Sequence, residues 1–379
     1  MRIGSVDLQS PLVVAPMAGM TDTAFRRLVK RQGGCGLVVT EMVSSEGLVR
    51  GIDRTLEYAE YTEEERPVSI QIFGGDPARM AEAARIVEGM GADIVDVNMG
   101  CPVPKIAKHE AGCSLMREPA HAAAIVAEMV KAVHIPVTVK MRKGWDAAEV
   151  NAPEVARRVA DAGAAAITIH GRTAKQSYSG DADWDFVADV AGALPIPVFG
   201  SGDCVDAQQI LDRLARGVSG VFVGRGVLRN PWILAQARDL LAGRPARIVT
   251  DEDRGRFLLD YIELLLHERV HEADGFRHVA PGHGSRIALS NQVAPSNQVA
   301  LLNMRGQPGC FELIPRHDRW VINKLRALCS WYTKGCQGGA QLRTAINSAE
   351  SLPGLRAIIE DFFSSGMRPV RQEMVAAAD

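Results

Sequence analysis

The sequence predicts an α/β protein, a (β/α)8 TIM barrel followed by a small all-helical C-terminal domain. About eight short apolar runs rich in β-branched residues recur along the first two thirds of the chain, and Ala-rich amphipathic stretches lie between most of them. Parallel strands covered by helices form such apolar runs, and about eight strand–helix units close a barrel. The chain has 379 residues, of which 47% are hydrophobic, so it can bury one large core and leave roughly 100 residues for a second domain.

The predicted strands alternate with predicted helices, as a barrel requires. The stretches PARMAEAARIVEGMG (77–91) and APEVARRVADAGA (152–164) have helical apolar spacing and each closes on a glycine, which favours a helix C-terminus. A doubly wound open sheet is the competing arrangement. The predicted strands are LVVAP (12–16), GLVVTE (36–41), VSIQIF (68–73), DIVDVN (93–98), VTVKM (137–141), AITIH (166–170), IPVFGSG (196–202) and GVFVGRG (220–226).

Composition and charge exclude several classes of protein. The net charge of −2 gives no global reason to expect nucleic acid or membrane, so any basic surface must be local. Seven cysteines without a C-x-x-C pair fit a reducing cytoplasm, and we expect no metal site. The apolar run near the N-terminus is too short for a signal sequence or a membrane span. We therefore expect an untargeted, cytoplasmic protein, and a monomer is the default expectation.

A barrel predicts that the functional residues follow the strands, because the loops at the C-terminal ends of the strands converge there. Any one polar residue at such a position more often satisfies loop backbone, but their recurrence on successive strands indicates a site. The residues in question are Pro16, Met17, Glu41, Gln71, Asn98, Cys101, Lys140, Arg142, His170, Arg172, Ser201, Gly202, Asp203, Gly224 and Arg225.

The last two strands are followed by glycine loops, GSGD (200–203) and GRG (224–226). Glycine lets the backbone approach an anion closely, and barrels commonly hold phosphate in these two loops. Arg225 would add a guanidinium group that can donate two hydrogen bonds to the phosphate. The alternative is a pair of ordinary turns. Val205 stands where a dinucleotide fingerprint needs its third glycine, so the pattern favours flavin mononucleotide (FMN) or a sugar phosphate.

Lys140 could serve either of two ligands. In a flavin site it would stabilise negative charge near N1 of the reduced ring, with Gln71 hydrogen-bonded to the pyrimidine edge and the backbone of residues 15–18 packed against the ring. In an aldolase it would form a Schiff base. Sequence position alone leaves both roles open.

Together these motifs resemble the signature series of the tRNA-dihydrouridine synthases, most closely the bacterial B-type branch. The resemblance is strong over residues 1 to about 240, and the Asn-x-Gly-Cys-Pro turn after a barrel strand is its most specific element. It implies a flavin barrel followed by a helical domain that binds tRNA. The enzyme would reduce the C5–C6 bond of selected uridines with reducing equivalents from NADPH. The matching motifs are PMAGMTD (16–22), QIFG (71–74), NMGCPVPK (98–105), VKMRKGW (139–145), IHGRT (169–173), GSGD (200–203) and VGRG (223–226).

The resemblance assigns Cys101 the proton transfer. Hydride passes from reduced FMN to C6 of uracil, and Cys101 gives a proton to C5. A free thiol, with a pKa of roughly 8.5, is mostly protonated at neutral pH. Cationic surroundings would lower that pKa, so we predict a largely neutral thiol. The alternative is a cysteine that only fills space in the core.

The resemblance also implies the remaining site residues. His170 would contact flavin or substrate, or be a structural histidine. Ser201 stands where the family typically has Asn, which weakens one expected contact with FMN. Pro16, Met17 and Ala18 would line the flavin, Gln71 and Lys140 would contact its ring, Ser201, Gly202, Asp203, Gly224 and Arg225 would hold its ribityl and phosphate groups, and Asn98, Arg142 and Arg172 would meet the substrate.

We assign residues 1–241 to the barrel and residues 242–379 to a helical tRNA-binding domain. Six basic residues and two acidic ones lie between 312 and 345 with three interleaved aromatics, which indicates a local nucleic-acid surface or else an amphipathic helix face. Arg326 and Lys334 are the candidate tRNA contacts, whereas Ala327 and Leu328 replace a Lys and a His of the family pattern.

An irregular insertion is expected at about 279–310, where the string SNQVA occurs at 290–294 and again at 296–300. The sequence assigns no role to this doublet. Three other functions remain open: a flavin barrel that acts on a free small molecule, as dihydroorotate dehydrogenase does, a phosphosugar aldolase or isomerase without flavin, and an RNA-binding protein that has lost catalysis.

Overall fold

The computed structural model describes residues 1–107, 110–267 and 316–364, and eleven strands lie in these ranges. An antiparallel hairpin of β1 and β2 precedes nine parallel strands. The strands are β1 (Arg2–Ile3), β2 (Val6–Asp7), β3 (Leu12–Val14), β4 (Leu37–Val39), β5 (Val43–Ser44), β6 (Val68–Phe73), β7 (Ile94–Met99), β8 (Val137–Arg142), β9 (Ala166–His170), β10 (Val198–Ser201) and β11 (Gly220–Val223).

Eight of the parallel strands close into a barrel. Each pairs with the next in chain order, from β3 through β4 and β6 to β11, and β11 returns to β3 with Val221 opposite Leu12. The short strand β5 adds a second pairing to β6. This closure confirms the predicted (β/α)8 barrel and excludes the open sheet, in which the first and last strands would not meet.

Helices follow the strands and cover the outside of the barrel. Short 3-10 helices lie at Glu63–Glu65 and Gly112–Arg117. The helices of the described residues are α1 (Thr23–Gln32), α2 (Ser45–Val49), α3 (Asp53–Glu57), α4 (Pro77–Gly89), α5 (Pro104–Ala107), α6 (Pro119–Ala132), α7 (Ala152–Asp161), α8 (Trp184–Ala193), α9 (Ala207–Leu214), α10 (Arg225–Arg229), α11 (Ile233–Leu241), α12 (Asp251–His267), α13 (Arg316–Tyr332), α14 (Gly339–Ser348) and α15 (Leu352–Ser364).

The period of two along each strand divides the side chains between two cores. On β7, Val95 and Val97 belong to the large core that the helices cover, whereas Ile94 belongs to a small core inside the barrel. Phe199 and Phe222 meet edge to face in that inner core, at 5.4 Å between ring centroids. Residues 3 and 8, from the hairpin and the segment after it, pack against the same inner core. Apolar side chains therefore fill the lower barrel, and the inward positions nearer the strand ends are left for polar groups.

Helices α12 to α15 pack on one another and on the barrel. Phe257 of α12 stacks on Tyr332 of α13 at 5.7 Å between ring centroids and meets Phe25 of α1 edge to face at 6.2 Å. Residues 242–250 connect α11 to α12, and the structure describes α12 as far as His267. The predicted insertion at 279–310, with its SNQVA doublet, lies outside the described residues. Among the described helices, none is long and apolar enough to cross a membrane.

Candidate functional site

A cleft of about 500 Å³ opens at the C-terminal ends of the barrel strands. Its volume is typical of a site for a cofactor or a small ligand. The structure brings fourteen of the predicted site residues together around this one cleft. They are Pro16, Met17, Ala18, Gln71, Asn98, Cys101, Lys140, Arg142, His170, Ser201, Gly202, Asp203, Gly224 and Arg225.

The Cys101 turn is held from both sides. Asn98 Oδ1 accepts hydrogen bonds from the backbone N–H of Gly100 at 3.1 Å and from that of Cys101 at 2.9 Å. On the other side, the Cys113 N–H donates to the Cys101 carbonyl at 3.0 Å. Gly112 has φ +64°, and a Cβ there would lie 2.7 Å from that same carbonyl. Glycine is therefore required for the chain to pass this close to the turn.

The surroundings of Cys101 favour the thiol over the thiolate. Burial raises the pKa of Cys101, and this effect outweighs a backbone hydrogen bond at Val103 and the charges of Arg142 and Lys140, all of which lower it. The direction agrees with the expectation of a neutral thiol. The side chain is nevertheless half-buried rather than sealed, so it can reach a ligand in the cleft.

A chain of buried hydrogen bonds runs beneath the cleft. Asp96 accepts from Thr138 Oγ1 at 2.6 Å and from Gln71 Nε2 at 2.7 Å, and Gln71 Oε1 accepts from Asn98 Nδ2 at 2.7 Å. Burial raises the pKa of Asp96 to about 6, although these two hydrogen bonds and the charge of Lys140 lower it. The alternation of β7 explains the placement, since Asp96 and Asn98 are two residues apart and face inward.

Lys140 lies on β8, opposite Asn98 in the strand register. Burial and the charge of Arg142 lower the pKa of Lys140 to about 8. Asp96 and Cys101 act in the opposite direction, but their effect is smaller. Arg142 has its own partners: it donates to the Gly100 carbonyl at 2.9 Å and to the Thr173 carbonyl at 2.8 Å. Arg142 thus ties the Cys101 turn to the loop after β9, and Lys140 supplies a cation to the cleft.

His170 ends β9 and contributes a neutral ring to the cleft. Burial lowers its pKa well below the usual value, and the charges of Lys140, Arg142, Arg172 and Arg225 lower it further. Its Nδ1 accepts from the Arg172 N–H at 3.2 Å, which leaves the other ring nitrogen as the protonated one. The imidazole can therefore donate a hydrogen bond into the cleft without adding charge.

The two glycine loops touch each other. A Cβ on Gly226 would lie 2.0 Å from the Cys204 carbonyl oxygen, so only glycine allows this approach. Gly202 has φ +126° and Asp203 has φ +48°, both in the left-handed region. Arg225 lies on the face of Tyr178, with its guanidinium carbon 4.1 Å from the ring centroid.

Arg172 holds the first glycine loop instead of lining the cleft. It donates to Asp203 Oδ1 at 2.8 Å and also to the carbonyls of Ser179 and Gly180. Asp203 Oδ2 accepts from the Ala182 N–H at 2.7 Å. Burial would raise the pKa of Asp203, but the hydrogen bonds from Arg172 and Ala182 outweigh it and lower the pKa. Asp203 is thus an anion that fixes the loop.

Of the described residues beyond 241, Trp331 of α13 is the one that lines the cleft. Lys334 lies outside the cleft lining, with its ammonium 3.8 Å from the Trp331 ring centroid. Arg326 also lies outside it and donates to the Ala349 carbonyl at 2.9 Å. Of the two predicted tRNA contacts, Lys334 is therefore next to the cleft mouth, and Arg326 joins α13 to the connection between α14 and α15.

Sequence reasoning missed several residues of this site. Asp96 had a signal, because inward-facing Asn98 implies an inward-facing residue two positions earlier. Trp331 is one of the three aromatics interleaved with the basic residues at 312–345, and no pattern separates it from the other two, while Tyr178 has no distinguishing pattern. Both reach the cleft through the packing of loops and domains.

Among the described residues, no group of three or more His, Cys, Asp or Glu side chains is arranged to hold a metal ion.

Comparisons with known proteins agree on one family. The family model described as Dihydrouridine synthase (Dus) matches residues 13–302. A protein named tRNA-dihydrouridine synthase B from Xanthomonas axonopodis pv. citri is 41% identical over 367 residues, which cover 96% of each chain. One named probable tRNA-dihydrouridine synthase from Rhodobacter capsulatus is 43% identical over 268 residues, 70% of this chain and 82% of its own. Another of that name from Rickettsia conorii is 33% identical over 97% of each chain.

Proposed function

This chain belongs to the dihydrouridine synthase family, and from that membership we propose that it reduces the C5–C6 bond of specific uridines in tRNA, with FMN as cofactor and NADPH as reductant. The observation that carries the proposal is the convergence of Cys101, Lys140 and Trp331 on one cleft. A proton donor, a cation and an aromatic side chain from the helical domain are the groups that a base-reducing enzyme needs at the point of reaction. We further propose that it acts in the cytoplasm as a monomer.

The cleft suits a flat, anionic ligand such as FMN. Gly224 lines the cleft without a side chain, so a ligand can lie against its backbone; a Cβ there would be in ordinary van der Waals contact with Met17 Sδ at 3.6 Å. Arg225 follows β11 and offers one cation to the cleft. Lys140 on β8 offers a second. We propose that Gln71 and Lys140 hold the flavin ring while residues 201–203, 224 and 225 hold its ribityl and phosphate groups.

When bound, FMN that NADPH has reduced supplies the hydride for C6 of uracil. Cys101 then donates its thiol proton to C5, and the resulting thiolate recovers a proton from water. Burial raises the pKa of Cys101, so the proton is present at neutral pH when the reaction needs it. Asn98 is placed to hydrogen-bond a ligand edge next to the thiol, since both residues line the cleft.

We propose that the helical domain binds the tRNA while the target base enters the cleft. A base inside folded RNA must leave its stack to be reduced, so a second surface has to hold the RNA backbone. Trp331 lies where an extruded base or its neighbour would pass, and Lys334 lies on the Trp331 ring, near enough to meet a phosphate.

The test combines a visible spectrum with a tRNA assay. Purified protein should be yellow, with about one FMN per chain, and should form dihydrouridine on unmodified tRNA when NADPH is supplied. Cys101→Ala should keep the flavin and its bleaching by NADPH but lose about a hundredfold or more in the tRNA reaction. Colourless protein would contradict the flavin assignment, and full activity in Cys101→Ala would contradict the role of the thiol.

A further inference from the structure

Asp96 is a carboxylate inside the barrel, one layer below the cleft. It is 4% exposed and does not line the cleft. A buried carboxylate is costly unless its oxygens are hydrogen-bonded, and here each oxygen accepts from a different neighbouring strand. Asp96 stands opposite Gln71 on β6 and opposite Thr138 on β8 in the strand register. Nothing in the proposed reaction uses this group directly.

The hydrogen bonds that lead from the Cys101 turn to Asp96 have a direction that neither amide can set alone. A carboxylate only accepts, so Gln71 must turn its nitrogen toward Asp96 and its oxygen toward Asn98. The backbone N–H groups of Gly100 and Cys101 only donate, so Asn98 must turn its oxygen toward them. An acceptor at one end and donors at the other therefore fix both side-chain amides, which would otherwise be free to flip.

We propose that Asp96 is a positioning residue for the dihydrouridine reaction: it fixes the orientation of the Gln71 and Asn98 amides and, through Asn98, holds the turn that carries the Cys101 thiol. The inference rests on the proposed function of Cys101. It explains why two amides that line the cleft present a defined pattern of donors and acceptors to a ligand. It also predicts that removing the acceptor at Asp96 loosens the Cys101 turn.

The experiment follows iodoacetamide alkylation of Cys101 in the full-length protein as purified, with the Cys101 peptide quantified by mass spectrometry. Asp96→Leu fills the same space without an acceptor and should raise the alkylation rate about fivefold, the equivalent of one net hydrogen bond. Asp96→Asn removes the charge but keeps one acceptor for Gln71, since the Thr138 hydroxyl can turn to accept. Its rate should stay within about twofold of wild type.

The matched control is Ser69→Ala. Ser69 lies on β6, two residues before Gln71, is 1% exposed, and its hydroxyl has no hydrogen-bond partner among the described residues. This variant should leave the Cys101 rate unchanged. If Asp96→Leu does not fold, Gln71→Met breaks the same chain one link further on while Asp96 keeps its charge. It should raise the rate about as much.

Two results would overturn the proposal. An unchanged rate in the folded Asp96→Leu or Gln71→Met protein would show that the chain does not hold the turn. An equal rise in Asp96→Asn and Asp96→Leu would show that the lost charge, not the lost acceptor, changes the thiol. The alkylation assay needs neither tRNA nor NADPH, so it decides the role of Asp96 even if the wild-type protein forms no dihydrouridine. If dihydrouridine forms, kcat should fall in Asp96→Leu while KM for tRNA stays.

Discussion

Lys324 of α13 lies 2.9 Å from the Asp22 carboxylate of the barrel. Asp22 caps α1 by accepting from the Phe25 N–H, and its other oxygen accepts from the Tyr261 hydroxyl of α12 at 2.8 Å. Lys324 also lies 3.9 Å from Glu41, whose carboxylate accepts from the Gly19 N–H in the loop that lines the cleft. One lysine therefore links the helical domain to the rim of the barrel.

Replacement of Lys324 by methionine should destabilise the protein. The lysine and Asp22 side chains are only 17% and 10% exposed, so the variant leaves a nearly buried carboxylate without its cation. We expect the free energy of unfolding to fall by about 2 kcal/mol, measured by urea denaturation. The control is Lys131→Met, whose partner Glu128 is on an exposed helix face, and it should change stability by less than about 0.5 kcal/mol. Equal effects of the two variants would contradict the structural role of Lys324.

The pH dependence of the tRNA reaction should report Lys140. Its pKa of about 8 means that its charge is present at neutral pH and is lost as the pH rises through that value. If the cation is needed in the cleft, kcat should fall over this range, before the Cys101 thiol loses its proton, because burial raises the pKa of Cys101. Lys140→Arg keeps the positive charge, so the fall in kcat should occur at higher pH in this variant, whatever its kcat at neutral pH. Superimposable profiles for the two proteins would exclude Lys140 as the group that titrates.

Asp96 should make stability depend on pH. Its folded pKa of about 6 is raised above the ordinary value of 3.8, so its contribution to stability is fully present below pH 3.8 and is lost as the pH rises through 6. The free energy of unfolding of Asp96→Asn, relative to that of wild type, should therefore rise by about 1 kcal/mol when the pH is raised from about 5 to about 7.5. Ser69→Ala, which removes a non-titrating group from the barrel interior, should give a difference that is the same at both pH values. A pH-independent difference for Asp96→Asn would contradict the raised pKa.

The barrel could be predicted because its strands are buried on both faces and are therefore continuous apolar runs. Each of the eight predicted runs overlaps one barrel strand; six contain the whole strand, and β7 and β8 end one residue beyond the predicted run. The hairpin of β1 and β2 could not be predicted, because each of its strands has only two residues. Its contribution to the fold is Ile3, which packs in the inner core. The position of a side chain at a strand end was predictable, but its partner was not.

Arg142 and Arg172 show this limit most clearly. Arg142 ends β8 and Arg172 follows β9, and both were expected to meet the substrate. The structure gives each of them backbone carbonyls as partners, because the loop at residues 173–180 folds back over the cleft rim. Lys324 and Asp22 are separated by 302 residues in the chain, and no local pattern pairs them. Contacts that depend on loop paths or domain packing leave no periodic signal in a sequence.

The two candidate tRNA contacts, Arg326 on α13 and Lys334 in the turn after it, should behave differently in binding experiments. Lys334 rests on the Trp331 ring beside the cleft mouth, so a phosphate contact there should appear in the salt dependence of tRNA affinity. Lys334→Gln should reduce the slope of log K against log salt by about 0.8. Arg326 donates to the Ala349 carbonyl, so Arg326→Gln should leave the slope unchanged and lower the free energy of unfolding by about 1 kcal/mol. Affinity can be followed by fluorescence anisotropy of labelled tRNA over a series of KCl concentrations. A reduced slope in Arg326→Gln, with none in Lys334→Gln, would place the phosphate contact at Arg326 instead of Lys334.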